Sequence, residues 1–183
     1  AGGARSPAGK SGVASLTAGL LEAGVVGMDE EQISGRLVDL GAQLSSSSDH
    51  DMASVTLRTL SSAEEKTGAL TLMRAVLSVP TFPEAVLARE KTRTIEAQKE
   101  ADTRPDAIAG KRFAQAIYPN HPYGNVATQD SVAKITRDDL VTFHQAHYVA
   151  QGAVVSIIGD VSKSEAEAIA VQLTEALPAG TGA

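Results

Sequence analysis

The chain has 183 residues, enough for one compact domain with its own core and short for two. Hydrophobic residues make up 43 % and charged residues 21 %, an ordinary globular balance, but aromatics are only 3 %, so the core is built from Leu, Ile, Val and Ala. A net charge of −6 argues against nucleic acid and anionic membrane surfaces as partners, and the absence of cysteine excludes disulfides, zinc–thiolate sites and thiol nucleophiles.

No apolar run approaches the ~20 residues of a membrane span. Ala1 stands where an initiator Met would, with no signal-peptide pattern behind it, and reads as the start of a processed chain or a fragment. The compartment stays open, with the periplasm expected if the chain is bacterial and exported.

In chain order, Ser11 to Gly24 reads as a first helix, with Val13, Leu16, Leu20 and Leu21 at helical spacing. Asp29 with Gln32 forms a capping box opening a second helix that buries Ile33, Leu37 and Leu40 and ends at Gly41. Gln43 to Ser48 and Met52 to Leu60 read as a hairpin, the second strand alternating Val55, Leu57 and Thr59 with polar residues.

Ser62 with Glu65 opens a third helix, halted before Pro80. Thr81 with Glu84 opens a long charged helix to about Thr103, and Pro105 opens another expected to bury Ile108, Phe113 and Ile117. Thr136 with Asp139 opens the helix carrying Leu140, Phe143 and His147. Ala153 to Ile158 reads as a buried central strand, and Ser162 with Glu165 opens a final helix burying Ile169, Leu173 and Leu177.

The resulting class is α+β. Its sheet is thin, and Ala1 to Arg5 reads as the end of another strand, so the sheet is expected to lack its beginning. The whole of 1–178 is expected to form one domain, with 179–183 as a tail or linker.

Six stretches resemble one family in order and spacing: GVASLTAGLLEAG at 12–24, DLGAQLSSSSDHD at 39–51, VPTFPEAVLAREK at 79–91, NHPYGN at 120–125, ITRDDLVTFHQAHYV at 135–149 and VSIIGDVS at 155–162. The chain so resembles the insulinase/pitrilysin, or mitochondrial processing peptidase-like, zinc metallopeptidases. The resemblance implies an α/β roll with a mixed, mainly antiparallel sheet backed by several helices, and one half of a polypeptide that usually has two.

Active members carry an inverted H-x-x-E-H motif. Two imidazoles four residues apart face one way on a helix and bind Zn²⁺, and the glutamate activates the metal-bound water. Here Ser15 and Gly19 stand at the two His positions and Ala18 at the glutamate position. None of the three supplies a strong ligand or a base. The resemblance puts the third ligand, a glutamate on the long charged helix, near Glu96, which by itself reads as a solvated charge paired with Lys99 or Lys91. No zinc or other cofactor is expected in this chain. Zinc belongs to the active partners, and the resemblance implies a non-catalytic subunit or half that closes a substrate chamber with a catalytic one.

The other constellations have plainer readings. His144 and His147 sit three apart and could share a face, with Asp139 nearest as a third ligand; the structural reading packs His147 beside Phe143 and Tyr148 and leaves His144 on the surface. His50 falls in a turn, and His121 precedes Pro122 in a loop. No serine lies in a nucleophile elbow, and Gly2-Gly3 and Gly24/Gly27 make no phosphate loop. Ser45, Ser46, Ser47 and Ser48 form a polar strand. In active relatives the matching strand is the edge on which a peptide substrate adds; here it is expected either to keep that ladder, with self-association as a corollary, or simply to be a solvated edge.

Three readings of function follow: an inert subunit or half that completes a peptidase chamber, an active zinc peptidase with its metal site elsewhere in the polypeptide or rebuilt from His144 and His147, and a structural core subunit.

Overall fold

The computed structural model describes residues 1–180, an α+β chain that divides into two compact units. One comprises Ala1–Leu20, Ser47–Ser54 and Phe82–Phe143; the other comprises Leu21–Ser46, Val55–Thr81 and the segment from His144 on.

In the first unit, helix α1 spans only Val13–Gly19, five residues short of the expected end. Leu20 N–H already donates to both Leu16 O (3.0 Å) and Thr17 O (3.3 Å), the tightening that closes a helix, and a 3₁₀ turn at Leu21–Ala23 follows. Gly19 weakens the last turn because it has the most backbone freedom to lose. Gly12, at φ +111, starts α1 in a conformation that side chains rarely adopt.

Helices α2 (Glu30–Asp39) and α3 (Ala63–Ser78) belong to the second unit, and α4 (Glu84–Ala101) returns to the first. Pro83 rather than Thr81 stands at the start of α4, and the preceding Phe82 is buried at φ +47, a left-handed backbone that a bulky side chain seldom takes. α4 packs against α1 and against α6 (Gln129–Ala133), a short helix that hydrophobic periodicity does not announce. Lys91 of α4 ties this pair together, its ammonium donating to Ala133 O (2.8 Å) and Ile135 O (2.5 Å) at the carboxyl end of α6.

Helix α5 (Pro105–Ile117) forms where Pro105 announces it but buries no residue. Ile108 and Ile117 are exposed, and Phe113 is 67 % exposed. Their helical spacing predicts a core face; among the described residues that face is left largely exposed. Helix α7 (Arg137–His147) starts as expected, Thr136 N–H donating to Asp139 Oδ2 (2.8 Å) and Asp139 N–H to Thr136 Oγ1 (3.3 Å). The expected strand at Ala1 to Arg5 is absent. A 3₁₀ turn spans Gly3–Arg5, and Gly2, Gly3 and Ala4 donate instead to the carbonyls of Asp51, Asp49 and His50, which bend away from a ladder.

In the second unit, a small hairpin stands where the sequence predicts the end of the first helix and the loop after it. It pairs β1 (Gly24–Val25) with β2 (Met28–Asp29) around Val26-Gly27. Gly27 takes φ +88, which a tight two-residue turn needs and a side chain resists. The Asp29–Gln32 capping box opens α2 with both reciprocal bonds, 2.9 and 3.0 Å. Leu40, Ala42 and Ala69 form a buried cluster against which Leu37 and Leu57 pack.

Strands β3 (Gln43–Ser48) and β4 (Ala53–Arg58) form the expected hairpin, each alternating exposed and half-buried residues. Asp49 Oδ1 accepts from Asp51 N–H (2.7 Å) and Met52 N–H (2.8 Å), building the turn. Helix α8 (Lys163–Thr174) packs on α3 and is held there by Arg74–Glu175 (3.0 Å) and Lys66–Glu165 (3.6 Å).

The expected central strand at Ala153 to Ile158 is corrected outright. The segment joins no strand among the described residues and is exposed along almost all its length. A buried strand needs a neighbour on at least one edge, and none is supplied here. Of the expected tail, Ala179 O accepts from Gln151 N–H (3.1 Å), while 181–183 lie outside the described residues.

Candidate functional site

Helix α1 and helix α4 enclose a cavity of about 260 Å³ in the first unit, lined by Gly12, Ser15 and Gly19 on one side and Glu90, Thr94 and Gln98 on the other. Ser15 and Gly19 are four residues apart and so share a face of α1; Glu90, Thr94 and Gln98 share a face of α4 for the same reason. Ser15 and Gly19 therefore look into one space. Ala18 does not: it is buried in the core side of α1 and is absent from the lining.

Glu96 is likewise not at the cavity. It lies two residues past Thr94, about 200° round a helix of 3.6 residues per turn, and pairs with Lys99 at 2.7 Å on the exposed side. Glu90 is the carboxylate that lines the cavity, its oxygens engaged by Arg89 (3.1 Å) and Arg93 (3.6 Å). Glu90, Thr94 and Gln98 are legible as an i, i+4, i+8 stripe, but only the rotation of α4 selects that stripe over the one containing Glu96.

This donor set does not fit zinc. A hydroxyl at Ser15, none at Gly19 and one arginine-bound carboxylate provide no imidazole and too few anionic oxygens for a tetrahedral site. Among the described residues no group of three or more His, Cys, Asp or Glu side chains could hold a metal ion.

The hydroxyls of β3 serve as local fasteners. Ser48 Oγ donates to Ser15 Oγ (3.3 Å), and Ser46 Oγ donates to Glu22 Oε1 (3.3 Å). Burial pushes the Glu22 carboxyl above its usual range, and the Ser46 hydroxyl offsets part of that. Ser45 and Ser47 face solvent. β3 pairs with β4 in a two-stranded sheet, so its other edge carries no strand among the described residues.

The histidine reading is reversed. His144 is the buried one, 6 % exposed, with Nε2 2.8 Å from Leu77 O, and His147 is half-buried. A carbonyl only accepts, so Nε2 carries the proton and is unavailable as a ligand. Asp139, the third ligand weighed with them, bonds Lys10 (2.5 Å) and Thr136. His50 and His121 are loop architecture: His50 packs on Tyr123 with centroids 5.1 Å apart, and His121 Nδ1 accepts from Tyr123 N–H (3.2 Å).

A family model described as "Peptidase M16 inactive domain" matches residues 134–182. A crystal structure of a peptidase M16 inactive domain from Pseudomonas fluorescens superposes with a TM-score of 0.95 at 35 % identity, covering all of this chain and 45 % of that one. The chain is similar in sequence and fold to the M16 peptidases. Among curated relatives, an uncharacterized zinc protease of Rickettsia bellii is 23 % identical over 94 % of this chain and 42 % of its own length. A non-peptidase homolog, YmxG, of Helicobacter pylori is 28 % identical over 87 % of this chain and 37 % of its own. The chain thus spans less than half the length of these relatives.

Proposed function

We propose that this chain is an M16-type, catalytically inert subunit or half that completes the substrate chamber of a zinc peptidase and presents the β3 edge to an extended peptide. The observation that carries the reading is the cavity between α1 and α4. It brings Ser15 and Gly19 to one face opposite Glu90 and offers none of the chemistry of a zinc site. Retaining the shell while losing the ligands suits a part that must still pack beside a catalytic counterpart. The unpaired edge of β3 offers main-chain donors and acceptors for strand addition, and its exposed Ser45 and Ser47 keep that edge polar. The same edge could accept a second copy of the chain.

The test is reconstitution of the full-length polypeptide with a relative that carries an intact H-x-x-E-H motif. Cleavage of an unstructured peptide is expected to need both, with all zinc held by the relative. Equal cleavage by the relative alone would overturn the chamber role. Stoichiometric zinc bound by residues of this chain would overturn its inertness.

A further inference from the structure

We infer that the cleft between α1 and α4 is a pocket for one side chain of a peptide added beside β3, and that it takes an uncharged aliphatic side chain of leucine or methionine size. The inference rests on the strand-addition reading above and specifies which peptides that edge prefers.

The placement comes first. The Ser47–Ser48 end of β3 belongs to the same unit as α1 and α4. Ser48 is half-buried and its Oγ donates to Ser15 Oγ (3.3 Å), while Ser15 itself lines the cleft. Ser47, on the opposite face of the strand, is exposed. Neighbouring strands lie only about 4.8 Å apart, and their side chains on one face of a sheet point the same way. A residue of an added strand on the Ser48 face is therefore directed toward α1, beside Ser15 at the mouth of the cleft.

Size sets the kind of occupant. The cleft, at about 260 Å³, falls below the ~300–1,000 Å³ of pockets that enclose a whole small molecule, and it accommodates a single side chain. A Cβ built at Gly19 meets no heavy atom within 4 Å, so the α1 wall leaves this room by carrying no side chain there.

Charge narrows the choice. Glu90 is the charged residue of the lining, and its two oxygens are already engaged by Arg89 (3.1 Å) and Arg93 (3.6 Å). A lysine or arginine side chain entering the cleft would have to displace these guanidinium groups and would meet their charge. An aspartate or glutamate would meet the Glu90 carboxylate. Gln98 is engaged as well, its Oε1 accepting from Lys111 Nζ (2.9 Å). The cleft then offers the apolar wall of Leu16, Leu20 and Val132, against which an aliphatic side chain gains by leaving water.

Peptide affinities measured on the full-length polypeptide decide the matter. The probes are short, unstructured Ser/Thr-rich peptides identical except at one central position, which carries Leu, Met, Ala, Lys or Glu. The Leu and Met peptides are expected to bind about 10-fold more tightly than the Ala peptide, the scale for burying part of one large apolar side chain. The Lys and Glu peptides should bind no more tightly than the Ala peptide. Gly19→Leu fills the cleft from α1 and should abolish the preference for Leu over Ala. Thr94→Phe fills it from α4 and should do the same, so the outcome does not hang on the folding of one variant. Equal affinities for all five peptides would overturn the pocket and leave the strand-addition reading standing. Tighter binding of the Lys or Glu peptide would overturn the uncharged occupant, and a preference that survives both variants would overturn the assignment to this cleft. Binding of none of the peptides would overturn the strand-addition reading and this inference with it.

Discussion

The imidazole of His144 stacks on the ring of Tyr148, with centroids 4.8 Å apart and planes inclined by 24°. Both rings are buried, and among the described residues the Tyr148 hydroxyl has no hydrogen-bond partner. Burial pushes the His144 imidazole below its ordinary pKa, with the bond to Leu77 acting the other way, and pushes the Tyr148 phenol up to about 12. The native state thus favours the neutral form of each.

Stability should respond at both ends of the pH scale. For His144 the folded pKa lies below the unfolded one of ~6.5, so its contribution is complete above ~6.5 and is lost as pH falls from there through the folded value. For Tyr148 the order is opposite. The contribution is complete below ~10 and is lost as pH rises from there toward about 12. Urea midpoints measured across pH should show a flattened acid limb for His144→Gln and a flattened alkaline limb for Tyr148→Phe. At neutral pH, Tyr148→Phe should cost nothing measurable, because it removes a buried hydroxyl that has no partner among the described residues.

Ser15 and Gly19 look into the cavity opposite Glu90, so Ser15→His with Gly19→His should create a divalent-metal site there. No heavy atom lies within 4 Å of a Cβ added at Gly19. Titration with zinc should show binding that Glu90→Gln weakens by at least ~10-fold and Glu96→Gln leaves alone, the usual scale for loss of a supporting group. The reverse pattern would mean that α4 presents its other face.

Lys91 closes the carboxyl end of α6 through two carbonyls. Lys91→Met keeps the aliphatic stem and removes both charged donors, and should destabilise the chain by about 1–3 kcal/mol, the range for hydrogen bonds to a charged group. Chemical denaturation would measure it.

Phe113 supplies a test of α5. In a core, Phe→Ala costs about 3–5 kcal/mol. At an exposed position the change should stay within about 0.5 kcal/mol, and that is the expectation for Phe113→Ala in the 183-residue chain. A large loss would show that the face is covered after all.

The sequence by itself determined what depends on residue identity and on neighbours a few positions away. The chemistry of Ser15, Ala18 and Gly19 is such a case, because those residue types supply neither a strong zinc ligand nor a base in any fold. The Asp29–Gln32 box, the Thr136–Asp139 box, the Ser162–Glu165 box and the hairpin around Asp49 are others, since each is closed by bonds spanning three residues or so. Only the tertiary structure decided which face of a helix meets the protein. Glu90 rather than Glu96 lines the cavity because of how α4 is rotated on α1, and His144 rather than His147 is buried because its face of α7 reaches Leu77. Ile108, Phe113 and Ile117 have the spacing of a core stripe without a core to meet, and Ala153 to Ile158 has the residues of a strand without a strand beside it. Periodicity records which side chains would gain from burial; a second surface, distant in sequence, has to supply it.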